Sequence, residues 1–244
     1  MDFAQISKTG SREHNEDSAL ALASEAGALF VVADGLGGHE RGEVASAAVT
    51  ETFRKNFEDG GFDANAFIAD TIQKAQLRLR SLQEEKGRQN PPEMMTTCAA
   101  LLISGGICRI GHVGDTRAYV FHRDKVKSRT LDHSVPQMLV LSGEIKEKRI
   151  RNHPDRNRLL RVMGTHWDSP KYELSDDVPV SECQAILLCS DGFWELCNEK
   201  KMCGFLRKSG SCAQWLELML NEVERNGLGG DMDNYTAIAV FPGE

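Results

Sequence analysis

The feature that most constrains this chain is the position of its aspartates relative to its apolar runs. Three apolar runs finish on an aspartate, with LFVVAD ending at Asp34, CRIGHVGD at Asp115 and AILLCSD at Asp191, while YTAIAVF begins just after Asp233. Short apolar runs of this kind predict buried strands. In an antiparallel sheet, a strand that ends at one rim lies beside a strand that starts there. We therefore expect these four carboxylates to gather at one edge.

Carboxylates gathered in this way would repel one another, and a protein tolerates them only with bound cations or raised pKa values. Carboxylate ligands without companion histidine or cysteine select hard ions, so the sequence predicts Mg²⁺ or Mn²⁺ rather than zinc. Two such ions roughly 3.5–4 Å apart can clamp a phosphoryl oxygen and activate a bridging water. Gly35 joins this prediction because it has no side chain, which lets its carbonyl approach a metal closely. Asp-Gly is also a common turn signal, and a turn is the better interpretation of 34–35 or 191–192 taken alone.

A charged segment near the N-terminus, REHNED at 12–17, places a guanidinium beside several acids. Arg12 can hold a phosphate through two N–H groups while one acid joins the metal site. Neighbouring side chains on an extended segment point to opposite sides, so we expect only one of Glu16 and Asp17 to face the ions directly. The alternative for this segment is a solvated charged loop.

The composition favours a single domain spanning residues 1–244. The chain is 41% apolar and 27% charged, and it has neither a signal peptide in MDFAQISKTG nor an apolar run of the ~18 residues that a membrane helix needs. We therefore expect a soluble, cytoplasmic protein. Its seven cysteines contain no C-x-x-C pair, which indicates reduced thiols rather than zinc ligands or a catalytic nucleophile. The net charge of −7 argues against nucleic acid as a partner, and an anionic substrate would need locally bound cations.

The remaining pattern predicts an α+β fold of antiparallel sheets with helices packed outside, because strands occur in runs separated by helix pairs. Strands are predicted at 3–6, 28–33, 99–103, 108–113, 118–121, 185–189 and 235–241. Helices are predicted at 40–58, 63–85 and about 211–226, with Asp63 as an N-cap, Gly87 as a stop and Gly60-Gly61 as a turn. Residues 132–168 are polar and predict an excursion with one or two short helices. Trp194 and Trp215 are interpreted as packing residues.

Read together, these segments resemble the PPM (PP2C-type) phosphatase family, in its compact bacterial branch. The matching stretches, in the family's order, are REHNED (12–17), VADGLGGHE (32–40), TT (96–97), HVGDTRAYV (112–120), LDHS (131–134), HPDRNRLLRVMG (153–164), LLCSDGFWE (187–195) and DNYTAIAV (233–240). The resemblance implies a four-layer α-β-β-α sandwich of two mostly antiparallel sheets flanked by helix pairs. It also implies a metal centre in a cleft between the ends of the sheets, and a flap at about 133–165 that shapes substrate access.

Carried over position by position, the resemblance implies two core ions, Mn²⁺ or Mg²⁺. Asp34 resembles the ligand that bridges both ions. Asp191 and Asp233 would complete one site, and Asp17 with the Gly35 carbonyl would support the other.

Asp115 with Asp191 resembles a third, weaker metal position of bacterial members, and Arg12 resembles the phosphate-binding arginine. The animal enzymes have a histidine, proposed as general acid, directly after the Asp-Gly pair, and here that place is Leu36. His39 or a metal-bound water would then protonate the leaving group, and the water is the better candidate because bacterial relatives manage with an apolar residue there. His39 also fits a helix-start residue with backbone contacts.

Three flap residues carry two interpretations each. His153, Arg156 and Asn157 would either touch the substrate or anchor the flap.

The implied activity is metal-dependent hydrolysis of phosphoserine and phosphothreonine in proteins by a metal-bridged water, with Asp34, Asp191 and Arg12 as the catalytic residues. The implied partners are phosphorylated proteins and a cognate serine/threonine kinase, with no nucleic acid or membrane, and the absence of coiled-coil heptads fits a monomer. Two alternatives stay open. One is a hydrolase of nucleotides or small metabolites, which no base-stacking or sugar-binding motif supports. The other is a noncatalytic binding module, against which stands the presence of every expected aspartate.

Overall fold

The computed structural model describes residues 1–25, 27–36, 41–85 and 94–243. Its elements follow in the order β1 (Asp2–Lys8), β2 (Asp17–Ser24), β3 (Gly27–Leu36), α1 (Gly42–Glu58), α2 (Phe67–Glu85), β4 (Met95–Thr96), β5 (Cys98–Ser104), β6 (Ile107–Val113), β7 (Arg117–His122), β8 (Lys125–Arg129), α3 (Val135–Leu141), β9 (Glu173–Leu174), β10 (Val178–Pro179), β11 (Ala185–Cys189), α4 (Asp191–Trp194), α5 (Glu199–Leu206), α6 (Cys212–Gly227) and β12 (Tyr235–Phe241). Two 3₁₀ turns lie at Glu147–Asn152 and Val180–Glu182.

Two sheets form the centre of the molecule. The first has the strand order β1-β12-β11-β7-β8, and the second has the order β10-β6-β5-β3-β2, with β4 added to β3 and β9 added to β6. The described strand pairs are antiparallel. The prediction of two mostly antiparallel sheets is therefore confirmed.

The alternation of side chains along β3 shows how the layers arise. Phe30 and Val32 pack into the cluster between the two sheets, whereas Leu29 and Val31 pack into the cluster beneath α1 and α2. Successive side chains on a strand face opposite sides, so this strand is buried on both faces. A strand covered on both faces has a continuous run of apolar residues, and this run is why the sequence predicts β3 clearly.

A third cluster completes the sandwich on the opposite side. Trp215 and Met219 of α6 and Met202 of α5 pack there against Leu187 of β11 and Phe121 of β7. The layers therefore run from α1 and α2 through the second sheet and the first sheet to α5 and α6. This order confirms the expected four-layer α-β-β-α sandwich.

Elements that the sequence did not predict include β2, β8 and α5. The strand β2 reads DSALALAS, in which alanine and leucine carry little strand preference. The strand β8 reads KVKSR and lies at the edge of the first sheet with most of its residues exposed or half-buried. Both strands are held by pairing with a neighbour rather than by an apolar pattern of their own.

The predicted start of the second helix is wrong by four residues. The helix begins at Phe67, and Asp63 instead stabilises the turn ahead of it. The Asp63 carboxylate accepts the N–H of Asn65 at 2.9 Å, and its carbonyl accepts the N–H of Phe67 at 2.9 Å. Gly87, the predicted stop of the second helix, and residue 40, the predicted start of the first, lie outside the described residues. The first helix begins at Gly42, two residues after its predicted start.

Other sequence predictions match the structure. Gly60 and Gly61 have φ values of 67° and 66°, the left-handed conformation that a glycine turn between helices uses. Residues 132–168 contain α3 and one 3₁₀ turn, in agreement with an excursion that carries short helices. All seven cysteines are free thiols. None of the helices in the described ranges has the length and hydropathy that a membrane crossing requires.

The helix pair α1 and α2 offers a direct test of the packing. Phe53 is fully buried in α1, whereas Leu77 of α2 has 70% of its surface exposed. We expect Phe53→Ala to lower the free energy of unfolding by about 3–5 kcal/mol, because it leaves a cavity in the core. Leu77→Ala should change it by less than about 0.5 kcal/mol. Urea denaturation of both variants checks this, and equal losses would contradict the layer assignment.

Candidate metal centre

The structure brings the strand-end aspartates together at one edge of the sandwich. Asp34 lies near the end of β3, directly opposite Asp17 at the start of β2 in the antiparallel register. Asp115 lies in the turn between β6 and β7, Asp191 is the first residue of α4 just after β11, and Asp233 precedes β12 by two residues. Both sheets therefore contribute carboxylates to the same edge, which is the gathering expected from the sequence.

A cavity of about 430 Å³ opens at this edge. It is lined by Arg12, Glu13, His14, Glu16, Asp34, Gly35, Leu36, Asp115, Asn157, Leu159, Asp191, Asp233 and Asn234. Six of the seven site residues predicted from the sequence are in this lining, and the seventh, Asp17, is buried next to Asp34. Leu36, the apolar residue directly after the Asp-Gly pair, also lines the cavity. His39 lies outside the described residues.

Electrostatic crowding in this cavity is severe. Burial raises the pKa of Asp34 well above its ordinary value, and neighbouring carboxylates, first of all that of Asp17, raise it further. Burial also raises the pKa of Asp191 to about 7, with Glu195 as the largest charge contribution. The pKa of Asp115 is raised well above its ordinary value by burial and then by Asp191. A divalent cation would relieve this crowding, because it neutralises the carboxylates that repel one another.

The carboxylate of Asp17 is the most direct indication that a cation fits here. Its Oδ2 accepts a hydrogen bond from Ser190 Oγ at 2.8 Å, whereas its Oδ1 is buried without a partner among the described residues. Burial raises the pKa of this group to about 6. A buried acceptor without a partner costs about 1–3 kcal/mol, and a bound cation would offset that cost.

The neighbouring acid, Glu16, reaches the site by a different route. Its side chain lines the cavity, and burial followed by the charge of Asp233 raises its pKa. Its backbone N–H donates to Asn234 Oδ1 at 2.8 Å. Of the two acids, Glu16 therefore faces the open cavity, while Asp17 lies buried beneath it.

The main chain around Asp34 is held by close contacts that exclude larger residues. A Cβ atom at Gly35 would lie 2.3 Å from the Gly42 carbonyl oxygen and 2.6 Å from that of Glu16, so only glycine fits. Thr97 donates its N–H to the Asp34 carbonyl at 2.8 Å, and Thr96 Oγ1 donates to the same oxygen at 2.7 Å. Asp34 therefore sits on a backbone with little freedom to move.

Several side chains that position the site were not assigned a role from the sequence. Thr97 and Ser190 hold the two aspartates described above, and Asn234 donates from Nδ2 to the carbonyls of Thr9 and His14, both at 2.9 Å. The sequence offers one indication of their role, which is that Ser190 and Asn234 each stand beside a predicted site aspartate. Their partners lie far away along the chain, which is why local patterns did not reveal the contacts.

Arg12 lies on the rim of the cavity. Its Nη2 donates to Asp233 Oδ2 at 3.1 Å, and its side chain is about half exposed. An exposed ion pair of this kind contributes about 0–1 kcal/mol, so the guanidinium can turn toward an incoming anion at little cost. The position agrees with phosphate binding better than with a loop that only contacts solvent.

The three flap residues singled out from the sequence have different contacts. The Nδ1 of His153 accepts the N–H of Asp155 at 3.1 Å, which stabilises a turn within the flap. Arg156 forms an ion pair with Glu195 at 2.9 Å. Asn157 lines the cavity itself. Arg156 therefore anchors the flap to the body of the protein, His153 stabilises a turn within the flap, and Asn157 faces the site.

A second group of potential ligands involves two histidines. Ligand atoms of His112, His133 and Glu173 lie within 4.8 Å of one another. The N–H of Gly114 donates to His133 Nδ1 at 3.1 Å, so the proton of the neutral ring sits on Nε2, which faces Glu173 Oε2 at 3.4 Å. That nitrogen then has no lone pair for a metal. The His112 ring stacks on that of His133, with centroids 4.5 Å apart, and its Nε2 lies 2.8 Å from the Leu131 carbonyl oxygen. We interpret this group as a structural contact at the base of the flap.

The likeness of this chain to known proteins extends over nearly its whole length. The family model described as Protein phosphatase 2C matches residues 5–232. The serine/threonine phosphatase stp of Listeria innocua is 29% identical over 236 residues, which cover 94% of this chain and 90% of that protein. The serine/threonine protein phosphatase PstP of Mycobacterium tuberculosis is 29% identical over 240 residues, which cover 93% of this chain and 42% of that protein.

Solved structures show the same likeness. The serine/threonine phosphatase Stp1 from Staphylococcus aureus superposes with a TM-score of 0.88 at 28% identity, covering 100% of this chain and 96% of that one. The catalytic domain of PstP in complex with two manganese ions superposes with a TM-score of 0.77 at 26% identity, covering 97% and 96%.

The raised pKa values predict how stability depends on pH and metal. Without added metal, we expect the unfolding midpoint temperature to fall as the pH rises from about 5 to about 8. In the folded state Asp17 and Asp191 have pKa values of about 6 and about 7, above the ordinary ~3.9, so the folded chain holds more protons in this range and loses stability as they dissociate. Mn²⁺ competes with these protons, so its stabilising effect should be larger at the higher pH. Differential scanning fluorimetry measures both trends.

Two variants test whether the effect belongs to this cavity. Asp34→Asn should raise the midpoint without metal, because it removes a repelled charge, and should abolish most of the Mn²⁺-induced rise. Asp168→Asn, whose side chain is 90% exposed, should behave like the wild type. An equal Mn²⁺-induced rise in all three proteins would rule out the cavity as the metal site.

Proposed function

The chain belongs to the protein phosphatase 2C family, and we propose that the cavity at the strand ends is the active site with which it hydrolyses phosphoserine and phosphothreonine in proteins. It is a serine/threonine protein phosphatase that resembles the bacterial enzymes Stp and PstP. One observation carries the assignment of the site. Carboxylates from both sheets line one cavity with Arg12 on its rim, and next to it a buried Asp17 oxygen has no partner among the described residues.

The donor set suits two core ions, and the PstP catalytic domain in complex with two manganese ions supports this number. In our proposal Asp191 and Asp233 would hold one ion, Asp17 with the Gly35 carbonyl would hold the other, and Asp34 would serve as a ligand for both. Bound Mn²⁺ or Mg²⁺ would supply Lewis-acid activation of water and neutralisation of the phosphoryl charge. Asp115 and Asp191 would hold a third, weaker ion.

The chain's own residues bind and orient the substrate. Arg12 pairs with Asp233 through one nitrogen, so its other N–H groups can bind phosphoryl oxygens at the rim. Thr97 and Thr96 keep the Asp34 backbone in place, and Ser190 keeps Asp17 in place. A site held in this way needs little reorganisation when the substrate binds.

The leaving serine or threonine oxygen must also gain a proton. Leu36 has none to give, and His14 is the histidine that lines the cavity within the described part of the chain. The carbonyl of His14 accepts a hydrogen bond from Asn234, which ties its main chain to the rim of the site. We propose that His14 donates this proton, and the alternative donor is water in the cavity.

The site assignment predicts the pattern of activity. Turnover of a phosphothreonine peptide should require Mn²⁺ or Mg²⁺ and stop with EDTA. Asp34→Asn and Asp191→Asn should each lower kcat/KM at least about 100-fold, because even an outer partner of a metal ligand is worth ~10–100-fold. Asp168→Asn should retain wild-type activity. Wild-type protein that binds Mn²⁺ but releases no phosphate would instead favour a noncatalytic binding module.

His14 is tested by comparing two leaving groups. His14→Gln should slow hydrolysis of the phosphothreonine peptide about 100-fold, within the usual range for general acid catalysis. It should slow p-nitrophenyl phosphate less than about 3-fold, because nitrophenolate leaves without a proton, as expected when general acid catalysis is not needed. Equal effects on both substrates would assign the proton to water.

The proposal extends to partners and location. Phosphorylated proteins are the substrates, and a cognate serine/threonine kinase would supply them, since that reaction forms the esters that this one removes. The seven cysteines are free thiols, which supports a reducing compartment such as the cytoplasm. We propose that the domain acts as a monomer.

A further inference from the structure

Trp194 connects the acidic cavity to the core. It is the last residue of α4, whose first residue is Asp191, and only 2% of its surface is exposed. Its indole N–H donates to the backbone carbonyl of Asp115 at 3.0 Å. The polar atom of a buried tryptophan is therefore bonded to the turn that carries another cavity aspartate. The sequence alone predicts only a packing role for this residue.

A cation stack fixes the orientation of the Trp194 ring. The guanidinium carbon of Arg117 lies 3.4 Å from the ring centroid. Arg117 is itself held by two hydrogen bonds to the Asp132 carboxylate, at 2.7 and 2.6 Å, and by one to Tyr119 Oη at 2.9 Å. A planar guanidinium held at three points cannot follow a moving ring, so the indole N–H stays directed at its acceptor.

The turn that carries Asp115 is held by hydrogen bonds and close contacts with residues from other parts of the fold. Gly114 has a φ of 93°, and a Cβ there would lie 2.6 Å from Thr97 Cγ2, so this position requires glycine. The Gly114 N–H is bonded to His133 and the Thr116 hydroxyl to that of Thr97. The residue between them, Asp115, has its carbonyl bonded to Trp194. Each successive residue of the turn is thus held by a different part of the fold.

We propose that Trp194 is a positioning residue for Asp115, and that its indole N–H, held by the Arg117 stack, aims the Asp115 carboxylate at the cavity it shares with Asp191. This inference rests on the proposed function in one respect, the assignment of Asp115 and Asp191 to a third cation. Because Asp191 and Trp194 belong to the same helical turn, one short element presents the first carboxylate directly and fixes the second through the indole.

The chain offers a matched control for this role. Trp215 is fully buried, and its indole N–H donates to the Met202 carbonyl at 3.0 Å, in the helix layer behind the first sheet. Trp194→Phe and Trp215→Phe each remove one buried indole hydrogen bond and the same part of a ring. Their effects on stability should therefore be similar, and any difference in metal binding reports on Asp115.

The experiment measures Mn²⁺ binding directly, from the electron paramagnetic resonance signal of free Mn²⁺, with no substrate present. Asp115→Asn identifies the binding step that depends on Asp115. We expect Trp194→Phe to weaken that same step about 10-fold, the size typical of an outer partner of a metal ligand. The double variant should lose no more than Asp115→Asn alone, and Trp215→Phe should bind as the wild type does.

Two outcomes would overturn the inference. One is a Trp194→Phe isotherm that matches Trp215→Phe, and the other is an Asp115→Asn isotherm that matches the wild type. If Trp194→Phe does not fold, Arg117→Lys loosens the same ring, because lysine cannot reproduce the planar stack, and it should weaken the same step. Mn²⁺ binding without phosphatase activity would defeat the proposed function and leave this inference standing.

Discussion

Mutual repulsion among the carboxylates at the strand ends is the constraint on which the rest of the site depends. An unrestrained aspartate in this position would turn toward bulk water, since burial penalises its charged form. The structure prevents this by bonding the neighbouring main chain and side chains to distant parts of the fold, as at Asp34 with Thr97 and at Asp17 with Ser190. The two sheets thus serve as a rigid frame that keeps these like charges together at one edge.

The sequence revealed the features that are local and missed those that depend on contacts across the chain. The strand β3 and the aspartate after it stand next to each other, so an apolar run followed by Asp34 was enough to locate both. The bond between Ser190 and Asp17 joins residues 173 positions apart, and that between Trp194 and Asp115 joins residues 79 positions apart. The periodicity of residues within one helix or strand carries no information about contacts between residues so far apart. The same reason explains the missed strand β2, which is stabilised by its pairing with β3.

Charged and apolar groups together attach the middle of the flap to the body of the molecule. Arg151, in the 3₁₀ turn at Glu147–Asn152, pairs with Glu199 at 2.6 Å and lies 5.4 Å from the Trp194 ring centroid, while Ile150 provides a buried apolar contact. Desolvation of the two charges offsets much of the attraction in a partly buried ion pair, so this pair adds little net stability and mainly ties Arg151 to one partner. Such an attachment fits a segment that must keep its position at the mouth of the cavity.

The rim of the site joins the two ends of the chain. Arg12 and Asp233 are 221 positions apart, and the first strand pairs with the last along its whole length, from Asp2 opposite Phe241 to Lys8 opposite Tyr235. Closing so long a loop has a large entropic cost that is recovered only when both ends are in place. A nascent chain that has not yet emerged beyond β12 therefore lacks a complete rim. During synthesis the cavity can therefore assemble only after β12 has left the ribosome.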